Sequence, residues 1–303
     1  MKPIVKKFDV NISGRDFVVG DLHGFLDLFH AELDRQNFDP SCDRVFSVGD
    51  LIDRGPDSMG CLRLLKQPWF HAVRGNHEQM LLGYFFPASL SVQASLLNTQ
   101  TFLKHGGAWV TTLRASEQNE LQSELLPHVR TLPHLITVGQ GRTRFNVVHA
   151  ELMTGAPEFS IQRLTSPARR DTAVSSGSVL TDTDLDALQT DAQSPFLDAM
   201  LWGRRILKST DHQAARFFEM AAGRLGVSAT PWHDGLSLTY VGHSPVRQMM
   251  LHQSHVFIDR GAYLRRSDSC LLMLCHQNVM AALRLHSLAD GAGDISVHDG
   301  LAG

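Results

Sequence analysis

The strongest constraint on the fold lies between Phe17 and Leu82, where a short aliphatic run, a glycine-containing loop and a segment of helical period follow one another repeatedly. The runs are "FVV" (17–19), "RVFSV" (44–48) and "FHAV" (70–73), and the helical segments start near Phe25, Ser58 and His77. In the first segment Leu26, Phe29 and Leu33 fall at i, i+3 and i+7 and share one helix face. Strands alternating with helices predict parallel βαβ units in an α/β fold.

Further along, "LITV" (135–138) and "RFNVVHA" (144–150) flank "GQGRT", which reads as a hairpin turn. Its two glycines lack the third glycine and the following helix of a dinucleotide fingerprint. "LSLTYVGH" (236–243), "HVFID" (255–259) and "CLLMLC" (270–275) follow with short connections, so the second half reads as a mostly antiparallel sheet. The stretch 155–200 is rich in Ser, Thr, Ala and Asp and reads as an insertion or cap, with one short helix after Thr181 or Asp182. Residues 1–285 are thus one domain carrying that insertion, and 286–303 a small, polar, loosely ordered tail.

With 303 residues and 43% hydrophobic content the chain can bury a large core. Its net charge of −3 provides no global positive field for nucleic acid or an anionic membrane, so any affinity for phosphate has to be local. The apolar stretches are far too short to span a bilayer, and the start "MKPIVKKFDVN" has no apolar signal core, which makes cytoplasm the expected location. Cys42, Cys61, Cys270 and Cys275 form no CxxC pair and are read as buried small hydrophobes.

The polar residues that follow the aliphatic runs carry the chemistry. "GDLHG" supplies Asp21 and His23, "VGDLIDRG" supplies Asp50, "RGNHE" supplies Arg74, Asn76, His77 and Glu78, and later runs end on His149 and His243. In open α/β sheets the carboxyl ends of the strands border the site crevice. Asp, His and Asn without thiolates suit Mn, Fe or Zn, and the donors outnumber the needs of one ion. A pair of metals bridged by one carboxylate fits the count, with Asp50 as the bridge and the ions roughly 3.5–4 Å apart. Arg54 and Arg74 then neutralise a phosphate attacked by a metal-activated hydroxide, His77 acts as general acid, and Asp53 orients its imidazole. The other twelve of the sixteen histidines, His105 among them, are read as structural.

Together "GDLHG", "GDLIDRGPDS" and "RGNHEQM" resemble the signature of calcineurin-like metallophosphoesterases, and more narrowly the phosphoprotein phosphatases of the bacterial and bacteriophage lambda branch. The match extends to "FLKHGGAWV" (102–110), "VVHAE" (147–151), "LWGRR" (201–205), "VGHSPV" (241–246) and "FIDRGAY" (257–263). The resemblance implies a four-layer α/β/β/α sandwich, two mixed sheets flanked by helices. It implies Asp21, His23 and Asp50 on one metal and Asp50, Asn76, His149 and His243 on the other, with Arg54 and Arg74 at the phosphate, His77 as acid and Asp53 behind it. It adds a phosphate-contacting arginine in "LWGRR", for which Arg204 is chosen over Arg205. The expected cofactors are two divalent ions, manganese first, with iron, zinc or nickel as alternatives.

Where the eukaryotic protein phosphatases carry a "SAPNY"-type loop this chain has "DRGAY", and its Tyr263 is read as either lining the pocket or packing, with packing favoured. The expected function is hydrolysis of phosphoserine or phosphothreonine in a protein or peptide. The alternative is cleavage of diadenosine polyphosphates or of a broader set of phosphorylated small molecules. An adenine pocket would need stacked aromatics, and only Phe159, Phe196, Trp202 and Trp232 are candidates. A catalytically silent binding module would have lost part of the donor set, which is complete here. Neither nucleic acid nor a membrane is an expected partner, and the oligomeric state is open.

Overall fold

The computed structural model of the chain describes residues 4–155, 177–188, 195–209, 216–220, 223–227, 230–264 and 266–289. Its first sheet has three parallel strands, β2 (Asp16–Val19), β3 (Arg44–Ser47) and β4 (Phe70–Ala72), which are the three aliphatic runs. β12 (Met273–Cys275) closes the β2 edge antiparallel. Among the described residues the second sheet has eight strands. Its order is β1 (Val5–Phe8), β5 (Leu135–Val138), β6 (Phe145–Val148), β9 (Leu238–Val241), β11 (His255–Phe257), β10 (Met249–His252), β8 (Gly223–Val227) and β7 (Arg216–Met220).

The two sheets pack face to face. Val18, Phe46, Val48 and Val73 from the first meet Ile136, Val138, Phe145, Val147, Tyr240, Leu251 and Val256 from the second in one buried cluster. Alternation then sends Phe17, Val19 and Val45 to the outer face of the first sheet, against α1 (Leu26–Arg35), α2 (Ser58–Arg63), α3 (Asn76–Phe85) and α4 (Val92–Lys104). Continuing this outer layer, α5 (Ala115–Glu120) runs through a π-helical turn at Leu121–Leu125 into α6 (Leu126–Thr131). On the far side Leu135, Val148, Val241 and Phe257 pack against α7 (Asp182–Asp186), α8 (Pro195–Trp202) and α9 (Arg205–Lys208). Helix, sheet, sheet, helix is the expected four-layer sandwich. Each fully buried Leu, Val or Phe side chain in these layers contributes about 1.5–3 kcal/mol.

Local chemistry accounts for the element ends. Asp57 accepts from the Gly60 amide at 2.6 Å to start α2, and Ser91 accepts from the Ala94 amide at 3.2 Å to start α4. Thr181 caps α7 through its hydroxyl and the Asp184 amide at 3.3 Å, so the short helix begins where the sequence places it. The "GQGRT" turn joins β5 and β6 as an antiparallel pair, with Val138 opposite Phe145.

Several expectations need correction. The large sheet is mixed: β1 with β5, β6 with β9, β9 with β11 and β8 with β10 are parallel. Short connections report only neighbours in sequence. β9 pairs with β6 from a distant part of the chain and with β11 past the intervening β10, which no local turn signal records. The "CLLMLC" strand belongs to the other sheet and begins only at Met273. Cys61 and Cys275 are buried, but Cys42 is half-buried and Cys270 exposed, because Cys270 precedes the strand. The last helix, α10 (His276–Ala289), crosses the expected boundary at 285, and the rest of the tail lies outside the described residues, as does most of the 155–200 insertion. Among the described residues no helix is long and apolar enough to cross a membrane.

Candidate metal centre

The two sheets bring five strand ends to one edge. Asp21 and His23 follow β2, Asp50 follows β3, Asn76 and His77 open α3 after β4, His149 follows β6, and His243 follows β9. All seven are at most 7% exposed. They form two groups with a shared member, His23–Asp50–His77 and Asp50–His149–His243, and within each group the donor atoms lie within 4.8 Å of one another. Asp50 Oδ2 is 3.6 Å from His23 Nε2 and 3.8 Å from His77 Nε2, while Oδ1 is 3.4 Å from His149 Nε2. One carboxylate therefore presents an oxygen to each side.

The donor chemistry fits divalent cations. His23 Nδ1 donates to the Ile52 carbonyl at 2.9 Å and His149 Nδ1 to the Val48 carbonyl at 2.8 Å, which leaves both Nε2 lone pairs facing Asp50. Burial pushes His23 and His243 well below the ordinary histidine range and His149 down as well, so these rings are neutral donors. His149 Nε2 and His243 Nδ1 converge on the same Asn76 Oδ1 at 2.8 and 3.1 Å, the His243 Nδ1–H donating to it while Nε2 accepts from Arg204. Burial opposes ionisation of Asp50, but His149, His77 and His23 outweigh it and hold the carboxylate below its usual range. Asp21 lies outside both groups. Its carboxylate accepts from the His243 amide at 3.0 Å, and burial followed by the Asp259 and Asp50 charges pushes it well up.

Backbone strain is concentrated at the same edge. His23, Asp50, Asp53, Arg54 and His243 have φ of 43°, 49°, 75°, 71° and 65°, the left-handed region that side chains other than glycine rarely adopt. Each such residue costs on the order of 1–3 kcal/mol and persists only where its surroundings over-determine it. Here Glu78 does much of the holding. Its carboxylate accepts from the amides of Asp50 at 3.0 Å, Leu51 at 2.8 Å and Gly75 at 2.8 Å, binding the loop after β3 to the start of α3.

A cavity of about 360 Å³ opens onto this edge, lined among others by Asp50, Arg54, Asn76, His77, Arg204 and His243. His77 Nδ1 lies 2.5 Å from Asp53 Oδ2, and Asp53 Oδ1 accepts from Trp109 Nε1 at 2.7 Å. Burial opposes the imidazolium, but Asp50 and Asp53 together outweigh it and raise His77 above its ordinary value. His77 thus differs from His23 in its outer partner, a carboxylate instead of a carbonyl. Arg54 Nη1 donates to His23 Nε2 at 2.7 Å, and its Nη2 lies 3.0 Å from His77 Nε2. Arg204 Nε donates to His243 Nε2 at 3.1 Å, whereas Arg205 is tied to Glu151 at 3.1 Å and to the Thr154 carbonyl. Of the two arginines, Arg204 is the one hydrogen-bonded to a residue of the centre. Arg74 is not brought into this cavity; it lines a neighbouring one.

Other wall residues were only partly legible. Tyr263 packs on His23, but it also lines the cavity and carries the Arg54 guanidinium 4.0 Å above its ring, so packing is only half its placement. His105 and Lys208 line the cavity too, and His105 was among the histidines read as structural. Glu78 had a signal: an acid at the third position of a helix after a glycine is a capping pattern. Trp109 had none local to Asp53, since 56 residues separate them. Gly242 is a further hidden requirement, because a Cβ there would run into Asp21 Oδ1 and Val48 Cγ2. Gly242→Ala is expected to lower metal affinity by about 10–100-fold, the usual scale for disturbing the support of a ligand. Titration calorimetry with Mn²⁺ checks it, and unchanged affinity would mean that the Asp21 position is immaterial.

Residues 17–153 match the family model described as calcineurin-like phosphoesterase. Serine/threonine-protein phosphatase 2 of Salmonella typhimurium (strain LT2) is 35% identical over 161 residues, 52% of this chain and 69% of that protein. The chain belongs to the calcineurin-like phosphoesterase family. Serine/threonine-protein phosphatase 2 of Escherichia coli (strain K12) is 40% identical over 135 residues, 45% of this chain and 57% of that protein. A symmetrical bis(5'-nucleosyl)-tetraphosphatase of Glaesserella parasuis serovar 5 is 46% identical over 68 residues, 22% of this chain and 25% of that protein. Against the Escherichia coli relative, the chain thus spans a little over half the relative's length. The phosphoesterase fold has a dinuclear metal centre, and the two groups sharing Asp50 are its counterpart here.

Proposed function

We propose that this chain is a metal-dependent phosphomonoesterase that hydrolyses phosphoserine and phosphothreonine in proteins or peptides. The observation that carries the reading is the cavity lined by the shared Asp50, His77 and Arg54, with Asp53 bonded to His77 from behind. The relatives named serine/threonine-protein phosphatase support the substrate class. Bound at His23, Asp50, Asn76, His149 and His243, with Asp21 beside them, two divalent ions would supply charge neutralisation and acidify water. Manganese is the first choice for this N/O donor set.

The chain's own residues do the rest. Arg54 turns its fork from the histidines to two oxygens of the phosphoryl group, and Arg204 reaches a third. His77, protonated at Nε2, donates to the departing serine or threonine oxygen. Asp53 holds the ring as a cation in that orientation, and Trp109 keeps Asp53 from turning away. A cytoplasmic setting is proposed with this reading, in keeping with four cysteines that are all free.

Cleavage of diadenosine polyphosphates is the second reading. The match to the symmetrical tetraphosphatase favours it, and so does Trp202 on the cavity wall, a surface on which a base could stack. Trp232 is 38% exposed and does not line that cavity, Phe196 is half-buried in α8, and Phe159 lies outside the described residues. The deciding experiment strips the protein with chelator, reloads it with Mn²⁺ and compares kcat/KM for a phosphoserine/phosphothreonine peptide and for diadenosine tetraphosphate. Faster peptide hydrolysis is expected. Faster dinucleotide cleavage would install the second reading, and Mn-independent or absent turnover of both would overturn the two together.

A further inference from the structure

A second cavity, of about 240 Å³, adjoins the metal-centre cavity and shares the Trp202 wall with it. Arg74, Gln79 and Arg130 make part of its polar lining, and Leu82, Phe86 and Leu90 part of its apolar lining. Arg74 Nη1 donates to Gln79 Oε1 at 3.1 Å and Nη2 to the Arg130 carbonyl at 3.0 Å, while its buried Nε has no partner. The Arg130 guanidinium lies 4.6 Å above the Phe86 ring. Among the described residues, neither arginine has a carboxylate within 4.0 Å. Two cations therefore meet at one small cavity with no ion pair within 4.0 Å; the hydrogen-bond partners of Arg74 are neutral, and its Nε is a buried donor left unused. Burial lowers Arg74 to about 10, against an opposing pull from the Glu78 carboxylate.

We propose that this cavity is a substrate subsite for an acidic side chain flanking the phosphorylated residue, held by Arg74 and Arg130. The inference rests on the protein-phosphatase reading. The shared Trp202 wall is what ties the two cavities to one substrate: a peptide with its phosphate at the metal centre passes that wall to lay a neighbouring side chain against the arginines. A carboxylate or a second phosphate has the planar or trigonal oxygens that a guanidinium fork takes in pairs. The apolar side accepts the methylene stem of such a residue. With a net charge of −3 the preference cannot come from the field of the whole chain. Arg74 serves specificity in this account, although the family resemblance sets it at the scissile phosphate.

The test uses phosphoserine peptides in which one glutamate is moved through the positions on either side of the phosphoserine, against an all-glutamine reference. One position is expected to raise kcat/KM about tenfold, the scale of a charge-assisted hydrogen bond. Arg74→Gln and Arg130→Gln should each cut that acidic-to-neutral ratio to about threefold or less, and the double variant should flatten it. Anisotropy of the labelled peptides reads the same ratio without turnover, so the subsite is judged even if the phosphatase reading fails. Phosphoserine in place of the glutamate tells a phosphate subsite from a carboxylate one, and a preference for either that needs both arginines supports the proposal. No acidic preference at any position would overturn it, as would a preference that survives both substitutions. If Arg74→Gln lowered every peptide and p-nitrophenyl phosphate by one common factor, Arg74 would act on the scissile phosphate and the subsite would be refuted.

Discussion

Asp50→Asn is expected to lower kcat for a phosphoserine peptide by about a thousandfold or more and to leave fewer than two ions bound per chain. Asp50 is the one residue common to both donor groups, with each of its oxygens facing a different set of imidazoles. An amide has one acceptor oxygen and no charge, so it can serve one ion and neutralise neither. Metal charge is worth several kcal/mol to a phosphoryl transfer state, and each 1.4 kcal/mol is about tenfold in rate. The fold should survive. Asparagine tolerates the left-handed φ of 49° at this position, and its Oδ1 can still accept from the His77 amide, now at 3.0 Å from Asp50 Oδ1. Metal content by mass spectrometry, beside kcat and a melting curve, separates the effects. Two ions with activity within tenfold of the parent would mean that Asp50 does not bridge.

His77→Asn should divide substrates by leaving group. For a serine alkoxide, a poor leaving group, the loss is expected at about 10²–10⁴-fold, the contribution of a positioned general acid. For p-nitrophenolate, which leaves without a proton, it should be about tenfold or less. Asp53 lies 2.5 Å from the inner nitrogen of His77 and, with Asp50, raises the ring above its ordinary value. The acid is the protonated form, so peptide turnover should fall as pH rises through that raised value, and this limb should be missing in His77→Asn. Equal losses for both substrates, or a limb that persists, would show that His77 is not the proton donor.

The candidate site residues were legible because each is a polar residue set just after an aliphatic strand run, and the parallel βαβ pattern sends the first of those ends to one edge. Asp21, His23, Asp50, Asn76, His77, His149 and His243 follow that rule. Long-range geometry was not legible. Nothing beside Asp53 announces Trp109, and nothing in "RGNHE" says that Arg74 turns toward Gln79 and Arg130 instead of Arg54. β1 and β10 were not singled out, since short strands with few neighbouring signals look like loop. The mixed pairing of the large sheet, implied by the family resemblance, did not show in the strand runs themselves, because β9 joins β6 across about 90 residues and reaches β11 only past β10. Tyr263 does both things its sequence reading held open: it packs edge-to-face with His23 and carries the Arg54 guanidinium over its ring, and composition alone could not say that one residue would do both.

The central claim is a pair of metals held on the two sides of Asp50, and anomalous diffraction from a crystal of the Mn²⁺-loaded protein tests it most directly. The account predicts two peaks roughly 3.5–4 Å apart, the spacing of two-metal phosphoesterase centres, one on the side of His23 and one between His149 and His243. A single peak, or two that do not both contact Asp50, would contradict it.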